Sequence, residues 1–303
     1  MDRLTSMEVF ARVVAARSFS AAARDLGISQ ATASKHVQML ENWVGARLLN
    51  RTTRRVNLTD TGEHFYAQCT RILEDMEAAR QVGKPDVRLR GNLRVSAPVA
   101  FGSTRFGALA VEFMAQNTEL SLSVILSDRP VDVIEEGYDV AIRVGYEPDD
   151  AVRGAGLTVQ SLAPVAFVVC AATSYLDRCG IPETPTDLAR HTCLTDMRHP
   201  GDLWHFTGPR GVVDVPVSGH LKSDNGLLRR SAARAGAGIL MAPSFLVEED
   251  LASGRLVEIL QDYTPPGATL DVVCPTHRVA SPKVRGLISF LTSRLGTQVT
   301  SAS

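Results

Sequence analysis

The sequence predicts an α/β chain in three parts: an N-terminal all-α winged helix-turn-helix, a long linker helix, and a two-lobed α/β domain. Three observations carry that prediction. Apolar residues recur at helical spacing through the first part and give way to a basic hairpin. A heptad-spaced stripe follows, and from Gly91 onward strands alternate with helices. The expected boundaries are residues 1–60 for the head, 61–88 for the linker helix and hinge, and 89–303 for the remainder, with one lobe at 89–162 plus 268–303 and the other at 163–267.

Leu4, Met7, Phe10, Val13 and Val14 stand three and four apart, which predicts a first helix with one buried stripe. Ser18 to Ser29 reads as a short second helix with small residues where another helix must come close, and Gly27 is free to turn left-handed. Ser29 is a good N-cap for a third helix whose inner stripe is Ala33, Val37, Leu40 and Val44. That stripe leaves Ala31, Ser34, Lys35 and Gln38 facing outward. A tight turn joining two such helices predicts a helix-turn-helix that enters a DNA major groove by the start of its second helix.

On this reading Gln30 and Ser34 hydrogen-bond base edges, Ala31 touches a thymine methyl, Thr32 lies at the flank and Lys35 neutralises phosphate. Arg47 to Thr59 reads as two short strands around a basic turn, a wing whose Arg51 and Arg54 contact the DNA backbone or minor groove. The plainer alternative is a three-helix subdomain with a solvated hairpin.

Phe65, Cys69, Ile72, Met76 and Ala79 form a heptad seam on a helix from about 60 to 82, opened by a capping box of Asp60 and Glu63. At 1.5 Å per residue that helix is ~35 Å long and suits pairing with a second copy of itself; packing on the chain's own C-terminal part is the alternative. Gly83-Lys-Pro-Asp86 reads as a hinge.

In the remainder, strands are expected at 93–95, 120–126, 139–144, 165–171, 193–195, around Trp204, and at 212–217, 239–241 and 270–274. Helices are expected after Ser103 to about Gln116, over Val131 to Glu136, near Ser174, from Asn225 to Ala235 and from Pro282 to Leu295. A largely parallel sheet is anticipated, with a ligand cleft between the lobes. Strand ends nominate Ser96, Ser103, Thr104, Arg143 and Asn225 as ligand contacts. Ser103 and Thr104 would open a helix and favour an anion such as a carboxylate. Simple capping is the alternative for Ser103, Thr104 and Asn225, and an ion pair with Asp139 or Asp128 is the alternative for Arg143.

Composition narrows the function. With 303 residues, 45% apolar and 21% charged, the chain reads as globular rather than disordered or fibrous. No window approaches a membrane span, and MDRLTSMEVF does not read as a secretion signal. Five cysteines, an odd number without a Cys-x-x-Cys pair, suit a reducing, cytoplasmic setting. The net charge of −1 conceals an asymmetry: residues 1–60 hold nine Lys or Arg against five acids, so the positive charge gathers where the third helix and wing lie.

No G-x-S-x-G elbow, phosphate-binding G-x-x-x-x-G-K-[ST] loop or strand-linked G-x-G-x-x-G is present, and the seven histidines show no metal-ligand spacing. Neither a cofactor, a metal nor a catalytic role is expected. His199 and His205 bracket Trp204 and are expected in a surface loop, with a place lining the second lobe as the alternative, while apolar-flanked Cys193 fits a core.

Phe19-Ser-Ala-Ala-Ala-Arg-Asp-Leu-Gly27, Ser29 to Glu41, Gly45-Ala-Arg-Leu48, Arg51 to Thr59 and Gly62 together resemble the LysR-type transcriptional regulators. Gly137 to Gly145, Ala233 to Ile239 and Arg278 to Arg285 are similar to one large branch of that family. The resemblance implies a winged helix-turn-helix, a dimerising linker helix and an effector domain like the periplasmic solute-binding proteins. It also implies a homodimer or homotetramer on double-stranded DNA at a promoter dyad, with a small-molecule effector between the lobes. The competing class is a ligand-binding or catalytic α/β protein whose N-terminal helices only mediate association.

Overall fold

The computed structural model describes residues 2–52, 55–80, 88–145, 156–198 and 202–296. The chain divides into two compact units, Met1–Val87 and Arg88–Ser303. In the first, α1 (Arg3–Ala16) begins where the Asp2 carboxylate accepts the Leu4 N–H and ends where Arg17 turns left-handed at φ 49°. Ser18 caps α2 (Phe19–Asp25) and Ser29 caps α3 (Gln30–Val44), accepting the Thr32 N–H at 3.0 Å. Between them Gly27 takes φ 67°, a conformation that costs a residue bearing a Cβ. Phe10 and Val13 close on Ala33, Val37 and Leu40, and all five are buried; Leu4, at the rim of the predicted stripe, is exposed. Each large side chain so buried contributes about 1.5–3 kcal/mol.

Strands β1 (Leu49–Thr52) and β2 (Arg55–Leu58) pair antiparallel, with Leu49 opposite Leu58. Buried Glu41 accepts the N–H groups of Leu48 at 3.0 Å and Leu49 at 3.3 Å, which fastens the wing's first strand to the end of α3. Helix α4 (Asp60–Arg80) follows. The expected capping box is replaced by Thr59, whose hydroxyl accepts the Gly62 N–H at 2.9 Å and donates to the Arg47 carbonyl at 2.7 Å. A Cβ at Gly62 would lie 1.9 Å from the Leu48 carbonyl oxygen, so the start of α4 can approach the wing only with glycine there.

The α4 seam does not run as one surface. Cys69 is fully buried in the head's own core and Phe65 packs 5.7 Å from Phe10, because α1 covers the first turns of the helix. Ile72 and Met76 remain 42% and 45% exposed. Only the later part of the seam is therefore uncovered; the side chain of Ala79 and the expected hinge at 83–86 lie outside the described residues.

The second unit has two lobes. The first carries a five-stranded sheet in the order β4-β3-β5-β13-β6: β3 (Gly91–Ala97), β4 (Leu120–Leu126), β5 (Val140–Gly145), β6 (Leu157–Val165) and β13 (Ala268–Pro275). In it α5 (Val99–Phe101) continues through a wider π-type turn, Gly102–Phe106, into α6 (Gly107–Gln116). The second lobe carries β12-β7-β11-β8: β7 (Phe167–Ala171), β8 (Cys193–Leu194), β11 (Ile239–Pro243) and β12 (Val257–Ile259). A separate hairpin, β9 (Leu203–Gly208) with β10 (Gly211–Pro216), stands beside it. Helices α7 (Thr173–Cys179), α8 (Gly226–Arg234), α9 (Ser244–Ala252) and α10 (Pro282–Leu295) complete the unit among the described residues.

Both main sheets are mixed, not largely parallel. β3 runs parallel to β4 and β5, but β13 is antiparallel to β5 and β6, and β11 is antiparallel to β7. The cause is the double crossing: β6 leaves the first lobe and β13 returns to it, so the two run in opposite directions. Val131 to Glu136 is a turn and not a helix, since the Asp132 carboxylate accepts the Ile134 and Glu135 N–H groups and offers the backbone a competing arrangement. Helix α9 and strand β12 were not expected from the sequence; fully buried Asp250 interrupts the apolar stripe of α9.

Candidate nucleic-acid interface and ligand cleft

On α3 the structure brings Gln30, Ala31 and Lys35 out to solvent and leaves Thr32 and Ser34 half-buried beside them. His36 and Val37 face inward, and His36 Nδ1 lies 2.8 Å from the Ser6 hydroxyl of α1, which fixes the helix's rotation about its axis. The first turn is preset as well. The Ser20 hydroxyl donates to Gln30 Oε1 at 2.9 Å, so the carboxamide keeps its NH2 outward as a donor. Thr32 shares its hydroxyl with Ser29 at 2.8 Å and serves the cap. Ser20 and Glu41 were not singled out by sequence reasoning; Ser20 stands in α2, ten positions from its partner, so no local pattern marks it. Arg51 belongs to β1 opposite Val56, while its side chain, and Arg54 altogether, lie outside the described residues.

A cleft of about 600 Å³ opens between the two lobes of the second unit. The first lobe supplies Pro98, Ala100, Asp128 and Val144; the second supplies Phe167, Trp204, Leu240 to Pro243 and Phe245, together with Thr195, Asp196, Arg198 and Arg229. Asp196 is the electrostatic centre, with Arg198 on it at 2.6 Å and Arg229 at 2.7 Å. Burial would raise its carboxyl, but the Arg198 hydrogen bond and the Arg229 charge outweigh that and hold it below the usual carboxylate range. Contacts across the cleft join the lobes: Arg105 pairs with Glu248, Phe101 lies edge-on to Phe245 at 5.8 Å, and Asn225 Nδ2 reaches Asp128 Oδ2 at 3.5 Å.

The five nominated ligand contacts stand near this wall but do not form it. Ser96 is buried inside β3. Ser103 and Thr104 do not open a helix: α5 begins at Val99, the two lie a turn later, and Thr104 donates to the Ala100 carbonyl at 2.8 Å. The free N–H groups that would have attracted an anion there are thus used within the helix. Arg143 pairs with neither Asp139 nor Asp128, donating instead to the Val131 carbonyl at 2.7 Å, because Arg278 holds Asp139 at 3.0 Å. Asn225 caps α8 by accepting the Leu228 N–H at 3.0 Å. The wall itself is mostly apolar and in sequence looks like core.

Among the described residues no group of three His, Cys, Asp or Glu is placed to hold a metal ion. Burial pushes the Cys69, Cys170 and Cys193 thiols up to about 12, so they stay protonated at neutral pH and are poor nucleophiles. Among the described residues no helix is long and apolar enough to cross a membrane.

Two family models match. Residues 4–63 fit the bacterial regulatory helix-turn-helix protein of the lysR family, and residues 87–296 fit the LysR substrate binding domain. The chain is 32% identical to the HTH-type transcriptional regulator DmlR of Escherichia coli K12 over 95% of its own length and 93% of that protein. It is 31% identical to the HTH-type transcriptional regulator CrgA of Neisseria meningitidis, covering 97% of each chain. The solved structure of CrgA, a LysR-type regulator, superposes with a TM-score of 0.62 at 30% identity over 96% of this chain and 98% of that one. The full-length Vibrio cholerae virulence activator AphB gives 0.60 at 26% identity over 97% of this chain and 100% of that one.

The chain therefore belongs to the LysR family of transcriptional regulators. It is a DNA-binding regulator with a helix-turn-helix head and an effector-binding domain, and the matches support that reading over an enzyme with associating helices.

Proposed function

We propose that the head reads a promoter dyad in double-stranded DNA with Gln30, Ala31, Ser34 and Lys35 of α3 facing the major groove, Thr32 at its flank, and Arg51 and Arg54 on the backbone or in the minor groove. The observation that carries this reading is the outward face of α3, held by the Ser29 cap, the Ser20–Gln30 bond and the Ser6–His36 contact. Two heads are needed for a dyad, and the exposed Ile72 and Met76 of α4 support a homodimer through that helix, with a homotetramer as two such pairs. The inter-lobe cleft is the effector site, and the protein acts in the cytoplasm as a regulator without a catalytic step of its own.

Footprinting of the region upstream of its own gene tests this. Protection of two half-sites about one helical turn apart is the expected pattern; no protection of that region at low salt would reject it. A thermal-shift screen tests the cleft, since a ligand at 100 times its Kd adds about 2.7 kcal/mol of stability.

A further inference from the structure

The charges lining the cleft cancel within the protein. Arg198 and Arg229 both bind Asp196, Asp202 is paired with Lys222, and Asp128 accepts the Val99 N–H at 3.0 Å and the Asn225 amide. An entering anion would thus meet three carboxylates and two guanidinium groups already engaged. Drawing either arginine away would weaken the pairing of Asp196, whose side chain is only 10% exposed. Around these groups the wall is aliphatic and aromatic: Val144, Phe167, Leu203, Trp204, Met241 and Phe245. Thr195 is 2% exposed, lies in the wall, and its hydroxyl has no hydrogen-bond partner among the described residues. A buried hydroxyl left so is costly, and a ligand group that bonds it removes the cost.

We propose that the cleft takes an uncharged, largely apolar molecule with one hydrogen-bonding group for Thr195, and discriminates against anions. This replaces the carboxylate suggested by the supposed helix start at Ser103. It rests on the cleft being the effector site, and the test separates the two. The full-length Trp43→Phe protein leaves Trp204 as its single tryptophan, an emission probe in the wall. It is titrated at neutral pH with pairs that differ in charge: 2-naphthamide against 2-naphthoate, cinnamamide against cinnamate, and indole-3-acetamide against indole-3-acetate.

The expected result is that the amide binds at least tenfold tighter than its acid in each pair that binds. Thr195→Val should weaken amide binding about tenfold, and Thr195→Ser, which keeps the hydroxyl, should restore it. Tighter binding of the acids would overturn the ligand class while leaving the cleft as an effector site. Amide affinity unchanged in Thr195→Val would remove Thr195 from the proposal and overturn it as stated. No response to any probe by Trp204 emission or thermal shift would count against both the ligand class and the effector reading.

Discussion

The head and the cleft are opposite kinds of site. In the head the proposed contacts on α3 are small or polar, crowd into six consecutive positions, and stand on the outside of a helix whose inner face is already packed. The cleft draws its wall from residues between Pro98 and Pro266, most of them apolar. The difference follows from the partners. A polyanion is bound by displaying donors and positive charge on a finished surface, whereas a small ligand is bound by leaving core-like residues uncovered between two bodies and neutralising the charges among them. Binding and folding should therefore be separable in the head and entangled in the cleft.

The largest effect expected is from Phe10→Ala, which empties the centre of the head's core and should cost about 4 kcal/mol. Because Phe10 belongs to the head's own core, DNA binding should be lost while cleft binding, measured by thermal shift of the effector-binding domain's transition, persists. Loss of both together would show that the units fold as one. Next is Asp250→Ala. This carboxylate is fully buried under Arg230, Arg234 and Arg255, and its removal leaves cationic groups facing each other at a cost of about 3 kcal/mol. The loss should appear in the sensing domain's melting and spare the head's.

Asp250 and Asp196 also give the sensing domain a pH dependence. Burial would raise Asp250, but its bonds to Arg230 and Arg255 prevail, and both carboxyls sit lower in the folded than in the unfolded chain. A depressed folded value means that the stabilisation is fully present above the unfolded carboxyl value of about 3.9 and is lost as pH falls through the folded value. Acid titration followed by the sensing domain's near-ultraviolet dichroism should thus show a loss below about pH 4 that Asp196→Asn and Asp250→Asn each make shallower. An unchanged slope in both variants would remove these groups as its cause. Ser29→Ala, in the head, should cost about 1 kcal/mol through its cap alone.

How far the sequence could be read differs between the two regions for the same physical reason. Helix starts at Ser18 and Ser29, and the outward face of α3, are local patterns, and the structure repeats them. What stayed hidden depends on contacts between distant positions. Cys69 fits the expected seam by spacing yet is claimed by α1, and the Gly62 requirement comes from Leu48, fourteen positions away. In the first lobe, Asp139 stands close in sequence to Arg143, yet it pairs with Arg278, far along the chain. Apolar wall residues such as Leu240 and Phe245 carry no mark in sequence that distinguishes a ligand surface from a core.

The smallest effects concern readout, and they bear most directly on whether folding and binding separate in the head. Lys35 is exposed, and as a phosphate contact its replacement by alanine should weaken binding to specific and random duplexes alike and flatten the dependence of log K on log salt by about one unit. Ser34 stands one position away, half-buried, and its replacement by alanine removes the hydroxyl proposed to bond a base edge. That change should leave the salt slope intact and shift preference among half-site sequences by about 1 kcal/mol. Neither variant should move the head's melting temperature measurably, because neither side chain fills the core. Gel shifts over a salt series on specific and scrambled duplexes measure both quantities. Equal losses on the two duplexes for Ser34→Ala, or a sequence-dependent loss for Lys35→Ala, would show that the first two turns of α3 are seated in the groove at a different rotation from the one that the Ser6–His36 contact sets.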